Sequence, residues 1–172
     1  MQPHISFGWI FLVTVLMLTS KILLSSFAGK HIFHNTGFSN DGILKDIVYE
    51  LGVFSSLFLA FCAFLEEVIF RFMPILICSV FSLFSRHQSF AIILLLAIQV
   101  VFGWRHGGWK HIFLQGVGGM LYALIYFLPS GLRAPDLVFG LMIGVLTHAL
   151  WNIGILYEWW RPIRLRVDKY MI

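Results

Sequence analysis

Apolar residues run through this chain in long blocks, separated by short polar clusters that contain glycine or proline. The first block, Trp9–Phe27, is long enough to cross a bilayer core of roughly 30 Å at about 1.5 Å per helical residue. Its one charge, Lys21, can snorkel toward an interface. Gly29–Asp46 is the longest polar stretch and reads as a loop. Ile47–Phe72 follows as a second long apolar helix, with Glu66, Glu67 and Arg71 near its C-terminal end. Pro74 restarts a shorter segment, Ile75–Phe84, closed by Ser85-Arg86-His87-Gln88. Phe90–Trp104 is the next span and ends in Arg105-His106-Gly107-Gly108. His111–Leu128 holds Gly116, Gly118 and Gly119, which let a neighbouring helix come close, and Pro129-Ser130-Gly131 ends it. The last block, Leu137–Trp160, carries Gly140 and Gly144 at GxxxG spacing. The pattern predicts an all-α polytopic membrane bundle of about six spans. One transmembrane domain covers residues 1–172, and its motif-bearing core covers about 47–160.

Composition sharpens this reading. Of the 172 residues, 59% are hydrophobic and only 12% are charged, against about 25% charged in an ordinary soluble domain. A water-soluble fold of this size cannot hide so much apolar side chain, and intrinsic disorder needs the opposite balance. Twelve Lys and Arg against eight Asp and Glu give a formal charge of +4. No dense basic stripe with interleaved aromatics occurs, so nucleic acid is excluded as a partner and the bilayer is the expected one. Basic residues instead set orientation. Arg161, Arg164, Arg166 and Lys169 place the C-terminal tail in the cytoplasm, together with the N-terminus and the Arg105–Lys110 turn. Lys30, Lys45, Arg86 and Arg133 then fall outside, and Tyr157, Trp159 and Trp160 form a boundary anchor. No Lys or Arg precedes Trp9 and no small-residue cleavage site follows the first block, so no removable signal peptide is expected. Small size without organelle signals points to a prokaryotic plasma membrane. Cys62 and Cys78 lie inside apolar runs and suit neither a disulfide framework nor a thiolate zinc site.

Polar groups at membrane depth carry the chemistry. An ionisable side chain at the bilayer centre costs about 2.5–3.5 kcal/mol on insertion scales, so its presence is a functional hypothesis by default. In the first cluster, Glu67 and Arg71 stand at i and i+4 and can pair, while Glu66 points about 100° away. A carboxylate free of that pair suits general-base work; the alternative is that all three mark a helix end at the headgroups. The second cluster joins Phe102 to His106 at i and i+4; by itself His106 fits an interfacial histidine as well as a catalytic one. His148 and Asn152 make the third cluster, sharing a face of an otherwise apolar helix and aiming two donors at one point. A polar pair that holds helices together has the same spacing. His4, His31, His34, His87 and His111 sit in polar surroundings and are given no role. Taken together, the three clusters supply a base, a proton shuttle and oxyanion donors at compatible depths, the parts of amide hydrolysis by an activated water.

Glu66-Glu67-x-x-x-Arg71, Phe102-x-x-x-His106 and His148-x-x-x-Asn152, in that order, resemble the three signature motifs of the CPBP family. These are the CAAX-prenyl protease and bacteriocin-processing proteins, also called Abi proteins, and they include the CAAX prenyl protease 2 type. The motifs span Glu66 to Asn152, about half of the chain. One departure is Phe72, since members often have Gly directly after the motif arginine. The resemblance implies an all-helical intramembrane glutamic endopeptidase. Under it Glu66 activates water with His106 assisting, His148 and Asn152 form the oxyanion hole, and Glu67, Arg71 and Phe102 support the site. The implied substrate is a membrane-associated protein or peptide with a hydrophobic or lipidated segment: a leader, a C-terminal sorting tail or a CAAX-like end. Two His with two Glu can in principle hold zinc, but no HExxH helix is present, so no metal and no other cofactor is expected. Two other readings are a non-catalytic scaffold or immunity protein, and a membrane subunit with haem ligated by His106 and His148.

Overall fold

The computed structural model describes residues 7–31, 54–130 and 134–156. All regular elements among them are helical. Helix α1 spans Phe7–His31, running past the expected end at Phe27. Helix α2, Ser55–Glu67, passes through a π-helical turn, Val68–Phe72, into α3, Met73–Val80. A short α4, Leu83–Arg86, leads to α5, Gln88–Arg105. The one-turn α6, Trp109–His111, continues through a second π-helical turn, Ile112–Gly116, into α7, Val117–Ile125. Helix α8, Leu137–Leu156, completes the bundle. Three helices are long and apolar enough to cross a membrane by length and composition: Phe7–Phe27, Gln88–Arg105 and Leu137–Ile155. Residues 47–53, the Tyr157–Trp160 anchor and the basic tail lie outside the described residues.

Pro74 does not restart the chain as expected. Backbone angles on both sides of the π-turn are helical, at φ −63°, ψ −43° for Glu67 and φ −62°, ψ −48° for Met73. The helical run breaks instead at Ser82, which takes the left-handed φ of +54°. The physical reason lies in one carbonyl. Proline has no N–H to offer the carbonyl four residues back, which here is that of Phe70. Gln99 Nε2 donates to that oxygen across the bundle at 2.8 Å. The π-turn absorbs the extra residue, and a side chain from α5 supplies the missing donor.

Apolar side chains cover much of the outside, among them Leu57 on α2, Val101 on α5 and Val138 on α8, each at least 60% exposed. That is expected where lipid replaces water as solvent. Inside, Val13, Met17, Tyr122, Ile125, Phe139 and Ile143 form one cluster and Ile75, Leu95 and Tyr126 another. Helix–helix packing in lipid depends on small residues that let backbones meet. A Cβ on Gly103 would stand 2.6 Å from the Ile112 Cα, and one on Gly116 would stand 2.9 Å from the Gln99 carbonyl oxygen. Helix α5 and the 112–116 turn therefore touch backbone to backbone. The chain reverses between them at Gly107 and Gly108, whose φ angles of +145° and +85° suit glycine and leave His106 as the last residue of its turn.

Candidate active site

Three separate helical runs bring their polar residues to one place. The π-turn after Glu67 and the packing of α2 on α8 set the first two acids on different tasks. Glu67 and Arg71 are fully buried and pair, with Arg71 Nη1 3.3 Å from Glu67 Oε1. The same Glu67 oxygen accepts from His148 Nδ1 at 2.9 Å. Glu67 can lie this close to α8 because of Gly144, where a Cβ would stand 2.8 Å from Glu67 Oε2. Glu66 turns away from that pair, as the helical spacing predicts, and meets both imidazoles. His106 Nε2 is 3.4 Å from its Oε1, and His148 Nε2 is 3.3 Å from its Oε2.

The remaining nitrogens fix the two rings. His106 Nδ1 lies 2.8 Å from the Phe102 carbonyl, which can only accept, so Nδ1 carries a hydrogen and Nε2 faces Glu66. His148 Nδ1 donates to Glu67 and likewise turns Nε2 to Glu66. A neutral ring in this setting presents a lone pair at Nε2; a protonated ring donates from both nitrogens. Glu66 is thus the hub, one imidazole per oxygen, each imidazole held from behind. Exposure separates the two acids: the Glu66 and His106 side chains are 30% and 29% exposed, whereas Glu67 and Arg71 are at 0%. Among the ionisable residues of the cluster, Glu66 and His106 are the ones partly open to solvent.

Aromatic faces complete the walls. The Arg71 guanidinium lies 4.0 Å above the Phe102 ring, and Phe102 contacts the His106 ring at a centroid distance of 4.4 Å. Phe102 is therefore in contact with both the arginine and the histidine. Tyr122 stacks on His148 at 5.0 Å and 18° between planes. Asn152 sits one turn beyond His148 on α8, half-buried. Both His148 nitrogens engage carboxylates, so His148 and Asn152 do not aim free donors at one point. Asn152 forms no hydrogen bond to another site residue among those described.

Sequence reasoning missed two contributors. Gln99 holds the Phe70 carbonyl in the π-turn that separates the acids from Arg71. A lone amide in the apolar run Phe90–Trp104 was the available signal. Lys21 does not snorkel: it is 98% buried, with Nζ 5.4 Å from the ring centroids of both Tyr122 and Trp151. Gly118 makes the room, since a Cβ there would stand 3.2 Å from Lys21 Cδ and would collide with Nζ.

Among the described residues, no group of three or more His, Cys, Asp or Glu has metal-holding geometry, the two imidazoles having been drawn to opposite oxygens of Glu66. Comparison with known protein families, curated proteins and solved structures returns no match.

Proposed function

We propose that this protein is an intramembrane endopeptidase of the CPBP type that cleaves a peptide bond with a water activated by Glu66. The observation that carries the reading is the convergence of His106 Nε2 and His148 Nε2 on the two oxygens of the one acid that solvent reaches. Water held between Glu66 and His106 loses a proton to the carboxylate as its oxygen attacks the scissile carbonyl carbon. The carbonyl π electrons move to the oxygen. That oxyanion takes a hydrogen bond from the Asn152 amide, while His148 stays between the two acids and holds Glu66 in place. Collapse breaks the C–N bond, and the proton held by Glu66 and His106 passes to the departing amine. Glu67 and Arg71 hold His148 from behind, much as a buried carboxylate orients an imidazole in other hydrolases.

In this reading the remaining spans complete a bundle of about six in a prokaryotic plasma membrane, with the C-terminus in the cytoplasm. The substrate is a membrane-associated peptide with a hydrophobic or lipidated segment, and neither metal nor haem takes part. The test is hydrolysis by the purified protein in liposomes of a library of hydrophobic peptides in ¹⁸O-labelled water. New C-terminal carboxylates carrying the label, formed equally with and without a chelator, are expected. No new termini, as for a non-catalytic scaffold, contradicts the reading. Chelator loss restored by zinc, or a Soret band in the purified protein, contradicts its metal- and haem-free chemistry.

A further inference from the structure

Helix α5 meets the acid-bearing run through one face. Gln99, Phe102 and His106 stand at i, i+3 and i+7, so they share a stripe about 10 Å long. Each touches a different point between Glu66 and Arg71. Gln99 Nε2 donates to the Phe70 carbonyl at 2.8 Å. The Phe102 ring lies 4.9 Å from the Phe70 ring and 4.0 Å from the Arg71 guanidinium. His106 Nε2 reaches Glu66 Oε1 at 3.4 Å. The two runs therefore lie antiparallel and in step, with Phe70 opposite Gln99 and Glu66 opposite His106.

A directional contact is needed to hold that step. Apolar contacts are non-directional, and in lipid they gain nothing from expelling water. The close backbone approach at Gly103 and Gly116 holds α5 to the 112–116 turn, not to the acids. Gln99 is the one polar side chain between Phe90 and Trp104, and it is only 1% exposed. Its acceptor is open because Pro74, four residues on, has no N–H. Proline and glutamine thus form a matched pair: one frees a carbonyl on the acid run, and the other engages it from α5. Sliding α5 by one residue moves His106 about 1.5 Å along the helix axis and about 100° around it, which breaks its contact with Glu66.

We propose that Gln99 is a positioning residue for His106: its bond to the Phe70 carbonyl fixes the register of α5 against the Glu66–Arg71 run and so brings the imidazole to Glu66. The effect on turnover rests on the hydrolase reading; the effect on the imidazole rests on the geometry alone.

The experiment is histidine NMR on the full-length protein in detergent, labelled with ¹⁵N-histidine, with His106 assigned by its absence in His106→Ala. Gln99→Leu removes the donor. Gln99→Asn keeps an amide but is one methylene too short to reach the carbonyl. In both, the His106 ring signals are expected to move toward their positions in Glu66→Gln, while those of His148, held by Glu67, stay. His106 signals that keep their wild-type positions overturn the proposal, and so does equal movement of both rings, the mark of general loosening. If Gln99→Leu does not fold, Gln99→Asn decides; if neither folds, the bond holds the fold rather than the register and the proposal fails. This measurement needs no substrate, so it stands apart from any failure of the hydrolase reading. On the peptide library, Gln99→Leu is further expected to lower kcat at least about tenfold with KM within about twofold. Unchanged kcat overturns the positioning role.

Discussion

Removing the guanidinium of Arg71 is the sharpest test of how the site is held. Arg71 and Glu67 are both at 0% exposure, and Glu67 Oε1 is shared between Arg71 Nη1 at 3.3 Å and His148 Nδ1 at 2.9 Å. Arg71→Met keeps the stem against Phe102 and leaves a buried carboxylate that still accepts from the His148 imidazole. Breaking a buried pair from one side costs about 3–5 kcal/mol, because the remaining charge is stranded. For a chain of this size about 2–4 °C of Tm accompanies each kcal/mol, so a drop of roughly 6–20 °C is expected. The double variant Arg71→Met with Glu67→Gln removes both charges and is expected to recover much of that drop. Thermal unfolding of the purified variants, followed by tryptophan fluorescence, reads both numbers. A loss below about 1 kcal/mol, the scale of an exposed ion pair, would refute the picture of a sealed pair behind His148.

Further outcomes follow from the same geometry. Gln99→Leu strands the Phe70 carbonyl at the π-turn and is expected to cost about 1–3 kcal/mol in the same unfolding assay; wild-type stability would show that Pro74 is accommodated otherwise. Gly144→Ala puts a methyl 2.8 Å from Glu67 Oε2, so peptide hydrolysis should fall at least about tenfold, and full activity would mean that α8 and Glu67 are not in contact. His106→Ala and His148→Ala should both abolish hydrolysis, but only the second should lower Tm appreciably, since only His148 is buried and bridges two acids. Equal Tm losses would contradict the exposure difference between the two rings.

The polar residues that stood out in the sequence did so because lipid is a harsh filter. Glu66, Glu67, Arg71, His106 and His148 are ionisable groups set in or beside apolar runs, and a fixed i, i+4 spacing already separated the Glu67–Arg71 pair from Glu66. What stayed hidden depended on tertiary contacts. A single lysine on a long apolar helix reads as a snorkelling side chain. Only the approach of Gly118, Tyr122 and Trp151, from helices about 100 or more residues away, shows that Lys21 turns inward. Pro74 misled for a similar reason: proline is a strong local breaker, and its local cost is met by Gln99 from a different helix. His148 and Asn152 share a helical face, yet spacing along one helix does not say which partner claims a ring. Two acids from α2 claimed both His148 nitrogens.

The account stands or falls on Glu66, the acid that both imidazoles address and that solvent touches. Glu66→Gln keeps the side chain's shape and removes its capacity to take a proton. In liposomes, at matched protein and with an unfolding profile showing intact structure, the variant is predicted to release no new peptide termini where the unaltered protein releases them. A folded Glu66→Gln protein that cuts the same bonds at the same rate would contradict the central claim.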